Sequence, residues 1–359
     1  MSPVPRTRGA RPDNDHPASG GRNVLRDYWH PVSWAADLAQ QPISTQLLGE
    51  RVVLWRDAGG HPVAAADQCP HRGTALSLGT VDARGCIVCP YHGWTFDPAG
   101  SCTHIPQLPD DATIPPRARV ALYSCEERYG LIWVCLGEPA DDLPDFAEWW
   151  DPSYRHVPCP AYTWRTSPER MIENFTDFGH LGFLHDGLLG TKDDLVVPPH
   201  RVEQVGNELH YSLTMQVPNT NEEYAVTDMR GSMGTQTNLY VLTLPYTIYL
   251  QCNYIEQSTH RTLFFAVQPR GDGECTGYCY QSRDYDLDAE DAPFAQFQDV
   301  LAKQDRPIVE SQLPAEVPLE ATGELHLPFD RVAVAYRRAM RRLLDPTPTP
   351  SVPSPLVRA

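Results

Sequence analysis

The chain has 359 residues, 41% of them apolar and 21% charged, which suits a soluble globular protein and makes two separately cored domains the expected arrangement. Its 46 acidic against 29 basic side chains give a formal charge of -17, which would repel a phosphate backbone and argues against nucleic acid as a partner. No run approaches about eighteen apolar residues and the start lacks an apolar leader core, so no membrane segment is expected, the chain reads as cytoplasmic, and its ten cysteines read as reduced thiols, some of them free to bind metal.

Residues 1–22, rich in Pro, Arg and Gly, and the proline-rich stretch 345–359 are expected to lack packed structure. Over 23–140 the text reads as short apolar strands broken by turns (RVVLWRD, AGGHPVAAA, YGLIWVCLG), a small all-β domain. An acidic, proline-rich stretch over 141–160 reads as a connection to a second domain over 161–344. That domain opens on a helical segment, SPERMIENFTDFGHLGFLHDG, with Ser167 as N-cap, Pro168 at the first helical position, and Glu169 and Glu173 favouring the helix dipole. The runs ELHYSLTMQV, TNLYVLTLPYTIYLQCNYIE and HRTLFFAVQP carry the β-branched and aromatic residues of a curved antiparallel sheet, and DAPFAQFQDVLAKQDRPIVESQ is read as the closing helix. The fold class is therefore α+β.

In the small domain Cys69-Pro70-His71 is followed, after seventeen residues, by Cys89-Pro90-Tyr91-His92. Two loops each offer one thiolate and one imidazole, which suits a [2Fe-2S] cluster with Cys69 and Cys89 on one iron and His71 and His92 on the other. Pro70 and Pro90 would stiffen loops that must present two ligands at fixed angles. A zinc site using Cys86, Cys89, Cys69 and His71 is the competing reading, although it leaves His92 unused.

In the second domain Asp177, His180 and His185 stand among aromatics. On a regular helix His180 and His185 point about 140° apart, so both reach one ion only if the helix distorts, a freedom that Gly179 and Gly182 would supply. A carboxylate would complete the two-His-one-carboxylate set of oxygen-activating Fe(II) sites. Asp305 is the candidate, because Phe294, Phe297, Leu301, Asp305 and Ile308 share one helical face and a carboxylate on an apolar face needs a partner. Pro307 would bend the helix just beyond it.

The loops CPHRG and CPYHGW closely resemble the two cluster-binding loops of Rieske domains. The segment around Asn174, Asp177, His180 and His185 and the stretch QDRPIVESQ resemble the catalytic domain of Rieske non-haem iron oxygenases, with the spacing of the single-subunit-type enzymes related to vanillate and dicamba demethylases. The resemblance spans roughly residues 25–325. It implies a β-barrel Rieske domain followed by a helix-grip type catalytic domain. It also implies a [2Fe-2S] cluster on Cys69, His71, Cys89 and His92, and a mononuclear iron on His180, His185 and Asp305. Asp177 would be the electron bridge to the cluster of a neighbouring subunit, hence a homotrimer, and Asn174 would lie near the iron.

The implied reaction uses O₂ and external electrons to hydroxylate or O- or N-demethylate an apolar, aromatic or cyclic small molecule. No GxGxxG loop occurs, so a separate NAD(P)H-dependent reductase, with or without a ferredoxin, is expected. A different class stays open: a non-catalytic electron carrier whose second domain binds a partner, with the two histidines and Asp305 purely structural.

Overall fold

A computed structural model describes residues 24–219, 232–320 and 323–345. The tails expected to lack structure lie outside the described residues, apart from Asp345. The chain divides into two units between Asp142 and Leu143.

The first unit is built of short antiparallel strands. β1 (His30–Trp34), β2 (Ile43–Leu47), β3 (Glu50–Arg56), β4 (Pro62–Ala66), β9 (Leu122–Arg128) and β10 (Leu131–Cys135) form a sheet in the order β1-β10-β9-β4-β3-β2. A smaller sheet runs β5 (Thr80–Val81), β6 (Ile87–Val88), β7 (Thr95–Phe96) and β8 (Cys102–His104). Strand β3 explains how the two share a core. Val52, Val53, Leu54 and Trp55 are all fully buried, and because successive side chains point to opposite faces they serve two clusters. Val52 and Leu54 pack with Val32, Leu47, Ile132 and Val134. Val53 and Trp55 pack with Leu76, Ile87 and Phe96, and with Cys69 and Cys89. The cysteines thus belong to the second core.

The second unit begins with β11 (Arg155–Pro158) and β12 (Tyr162–Trp164). The stretch expected as a connection over 141–160 therefore carries a strand of the large sheet. After them come α1 (Pro168–Thr176) and the one-turn α2 (Leu181–Leu184). Strands β13 (Val202–Val205), β14 (Glu208–Asn219), β15 (Ser232–Thr243), β16 (Thr247–Tyr254), β17 (Thr259–Gly271) and β18 (Glu274–Arg283) form a sequential antiparallel meander. Its order is β11-β18-β17-β16-β15-β14-β13, with β12 also on β18. The run TNLYVLTLPYTIYLQCNYIE is two strands, not one, because the chain turns at Leu244–Tyr246 around Pro245, which has no N–H for a ladder. One face of the sheet carries Tyr211, Leu213, Gln236, Asn238, Cys252, Arg261 and Leu263, all buried, and α1 packs on it through Phe175 stacked on Phe265.

Two helices follow, α3 (Ala292–Val309) and α4 (Arg331–Leu344). The helix expected to close the domain, α3, is thus not the last. In α4 Val332, Tyr336, Ala339 and Met340 recur at helical spacing and are buried against the domain, and Arg337 is buried with them.

Candidate metal centres

The first pair of candidate residues sits on loops of one design. The amide of Cys69 donates to Thr74 O (2.8 Å) and that of Gly73 to Cys69 O (2.9 Å); the amide of Cys89 donates to Trp94 O (2.8 Å) and that of Gly93 to Cys89 O (3.0 Å). Gly73 and Gly93 both hold φ +72°, a left-handed value that a side chain rarely adopts, so the same glycine closes each loop. Cys69 and Cys89 are 2% exposed, whereas His71 and His92 are half-buried. The two imidazole rings lie 4.5 Å apart, with Trp94 stacked flat on His71 at 4.6 Å. Nδ1 of His71 is buried and has no hydrogen-bond partner, the state of a nitrogen left for a metal. Burial raises the Cys69 thiol, and the Cys89 thiol beside it adds to the rise, so thiolates here need a compensating positive charge. Cys86 does not share in the arrangement. Burial and the charge of Asp82 raise its thiol.

The second group is assembled by a break in a helix. Ser167 caps α1 as expected, accepting the Arg170 amide at 3.2 Å, and the helix stops at Thr176. Asp177 is extended (φ -82°, ψ 129°), which turns the chain before α2, so that His180 and His185 flank a separate helical turn. The glycines act differently from expectation. Neither Gly179 nor Gly182 has a positive φ, and a Cβ on Gly182 would lie 3.0 Å from Thr191 O and 3.1 Å from Leu195, so Gly182 is required by close packing rather than by flexibility. Glu169 and Glu173 are also engaged elsewhere, with Tyr246 and with Arg337 respectively.

One ligand atom each of His180, His185 and Asp305 falls within 4.8 Å of the others. Nε2 of His185 stands 3.0 Å and Nε2 of His180 stands 3.7 Å from Asp305 Oδ1. Adjacent ligands about 2.1 Å from a six-coordinate divalent ion are themselves about 3 Å apart, so the spacing matches. Asp305 Oδ1 is buried without a hydrogen bond. The other ring nitrogens are occupied: His180 Nδ1 pairs with Asp177 Oδ2 at 2.8 Å, and His185 Nδ1 with Gln304 Oε1 at 2.7 Å. With Nδ1 as the donor in each pair, Nε2 of both imidazoles would be the nitrogen left for a metal. Although burial opposes charge on Asp177, hydrogen bonds from His180 and from the amides of Gly179 and His180 hold its carboxyl below the usual range. Burial likewise opposes charge on His185, yet Asp305 and Gln304 raise its imidazole above the ordinary value.

Asp305 lies on the buried stripe of α3 with Phe294, Phe297 and Leu301, whereas Ile308, expected on that stripe, is 50% exposed and Val309 takes its place. The helix contains Pro307 and continues to Val309. Asn174 enters through its backbone, whose carbonyl accepts the Asp177 amide at 3.3 Å, and its side chain bonds none of the three metal-facing residues. Gln304 was not anticipated. The signal available was its place beside Asp305, an amide one residue from a carboxylate on a helix that faces two histidines. A small open cleft is walled by Phe178, Gly179, Gly182, Leu213 and Met215, with Gly179 next to His180 in the chain.

Comparison with known proteins agrees with these features. Residues 28–122 match the Rieske [2Fe-2S] domain and residues 164–346 the vanillate O-demethylase oxygenase C-terminal domain. Methylxanthine N1-demethylase NdmA of Pseudomonas putida is 32% identical over 90% of this chain and 90% of its own, and methylxanthine N3-demethylase NdmB of the same organism is 31% identical over the same shares. The solved structure of NdmA with caffeine superposes with a TM-score of 0.79 at 31% identity, covering 91% of this chain and 93% of that one. Dicamba monooxygenase bound to dicamba shares the fold, with a TM-score of 0.78 at 24% identity over 89% and 97% of the two chains. The chain belongs to the Rieske non-haem iron oxygenases, as a terminal oxygenase component. It is an iron monooxygenase that carries a Rieske [2Fe-2S] cluster and a mononuclear iron and takes O₂ and a small-molecule substrate.

Proposed function

We propose that this chain monooxygenates an aromatic or otherwise cyclic small molecule, by hydroxylation or by O- or N-demethylation, at an iron held by His180, His185 and Asp305. The observation that carries the assignment is the convergence of two imidazole Nε2 atoms and an unpartnered carboxylate oxygen, with both Nδ1 atoms already committed. The cluster is assigned to Cys69, His71, Cys89 and His92. The mononuclear iron supplies oxygen activation, and the cluster supplies an electron. The protein residues do the rest. Asp177 holds His180 in register and, through its carboxylate, offers a hydrogen-bonded route toward the cluster of a neighbouring subunit in a homotrimer. Gln304 does the same positional work for His185. The cleft of Phe178, Leu213 and Met215 seats the substrate's apolar body. NdmA and NdmB, named for removing N-methyl groups from methylxanthines, support demethylation as one outcome. Electrons come from a separate NAD(P)H-dependent reductase, directly or through a ferredoxin.

The test is metal content. The intact protein is expected to hold three irons and two acid-labile sulfides per chain, and His180→Ala to lose one iron while keeping the visible spectrum of the cluster. Retention of all iron and of substrate turnover in His180→Ala would return the electron-carrier reading.

A further inference from the structure

The inward face of the large sheet carries a cation that has no counter-ion among the described residues. Arg261, on β17, is 7% exposed, and its Nε has no hydrogen-bond partner. Its neighbours are the Cys252 thiol and the Tyr254 and Tyr285 hydroxyls, whose own pKa values burial raises, so all three are neutral near pH 7. Its guanidinium lies 5.5 Å over the ring of Phe297. Among the described residues no carboxylate stands within ion-pair distance of it. The other buried arginine of this face, Arg283, differs in having a counter-ion: it is 1% exposed and sits 3.7 Å over Phe294, and although its own Nε and Nη1 lack partners, its Nη2 approaches Asp291 at 3.5 Å and donates to the carbonyls of Asp286 and Ala289. A buried charge without such partners is costly, and a protein retains one where a ligand completes it.

The position of Arg261 relative to the metal group follows from register. Across the sheet Leu213 pairs with Asn238, Asn238 with Cys252 and Cys252 with Arg261, so the four form one row on the inward face. Leu213 walls the cleft that Gly179 and Gly182, either side of His180, close opposite. At the other end Phe297 stands two helical turns before Asp305 on the same stripe of α3, about 12 Å along the axis. The row thus runs from the flank of the iron ligands to Arg261, the span of a substituted aromatic ring. Between the ends sit two buried amides. Gln236 Nε2 donates to Asn238 Oδ1 at 2.5 Å, and among the described residues Asn238 Nδ2 faces the Met215 thioether at 4.0 Å. The face therefore offers unspent donors and a positive charge, and asks for an acceptor.

We infer that Arg261, assisted by the Asn238 amide, is a specificity-determining residue that takes a carboxylate on the substrate, so that the natural substrate is a cyclic organic acid whose far end lies at the iron. This rests on the assignment of the iron to His180, His185 and Asp305. The probes are benzoate, 4-methoxybenzoate and indole-3-carboxylate, each paired with its uncharged primary amide and titrated calorimetrically into iron-loaded protein. At least one acid is expected to bind about tenfold or more tightly than its amide, as a charge-assisted hydrogen bond in a buried site implies. Arg261→Gln should weaken that acid by about 30-fold while changing the amide less than threefold, and Arg261→Lys should fall between. Equal binding of acid and amide, no binding of any acid, or equal weakening of both by Arg261→Gln overturns the inference. If Arg261→Gln does not fold, the acid-to-amide ratio in the native protein and in Arg261→Lys decides. Iron and sulfide are counted on the same preparations: full metal content without acid preference sinks only this inference, whereas a missing third iron sinks the site assignment beneath it.

Discussion

At the scale of single residues, the histidines show how much of a metal site lies behind its ligands. His185 is 1% exposed and reaches Asp305 with one nitrogen only because Gln304 holds the other at 2.7 Å. Gln304→Ala is expected to lower iron affinity by about 10- to 100-fold, the usual cost of losing such support, with the cluster spectrum unchanged; Gln304→Glu should restore much of it. Iron per chain after dialysis against a weak chelator is the readout. In the first unit His30 is fully buried, with Nε2 donating to the Leu25 carbonyl, and burial lowers its pKa to about 4. An unfolded chain takes up that proton near 6.5, so between the two values the unfolded state binds more protons and stability falls as the pH drops from about 6.5 toward 4. The loss should be on the order of 3 kcal/mol and level off below pH 4. Urea unfolding of the first unit at pH 7 and pH 4.5 checks this, and His30→Gln should flatten the slope. The candidate ligands could be read from the sequence because each stands in a motif whose spacing has one economical explanation. Gln304 and Arg261 could not, since a lone amide on a helix or a lone arginine in a strand acquires meaning only from what faces it.

Among elements, the joint between α1 and α4 is ionic rather than apolar. Arg337, 5% exposed, binds Glu173 at 2.7 Å and Glu324 at 2.6 Å, and Glu324 also takes Arg170 at 2.6 Å. Removing one member strands the others in a dry setting, so Arg337→Leu is expected to destabilise the second unit by about 3–5 kcal/mol in urea unfolding. A variant that also replaces Glu173 and Glu324 with apolar residues should recover part of it. The strands were legible because alternation and β-branched residues persist across the sheet, and α1 because Ser167 and Pro168 announce its start. Helix α4 was hidden by arginines at 337, 338, 341 and 342, which interrupt its apolar stripe to the eye, and by Arg337 facing inward. A distortion of one helix at Gly179 and Gly182 was expected, whereas the helix breaks at Asp177, whose carboxylate takes the amides of Gly179 and His180 at 3.0 Å each and so closes the turn that leads into α2.

For the whole molecule, the absence of a nucleotide-binding loop leads to a direct expectation. The purified chain should not oxidise NADH by itself, and adding a flavin-containing reductase should start oxygen consumption only when a substrate is present. Uptake of oxygen with NADH and the chain alone would contradict the two-component arrangement. None of the helices among the described residues is long and apolar enough to cross a membrane.

The two metal centres also differ in when they can come into being. Cys69 and Cys89 are brought together by a short stretch of chain, closed by two neighbouring loops of a small sheet. His185 and Gln304 are 119 residues apart, and the whole meander from β13 to β18 lies between them. Closing so long a loop is favourable only after the intervening strands have paired. During synthesis the cluster loops are therefore expected to close while the ribosome is still making the sheet. Of the three proposed ligands the carboxylate of Asp305 arrives last, so binding of the mononuclear iron would register that the strands before α3 have paired. A chain cut short after β18 would be coloured, and would never carry its third iron.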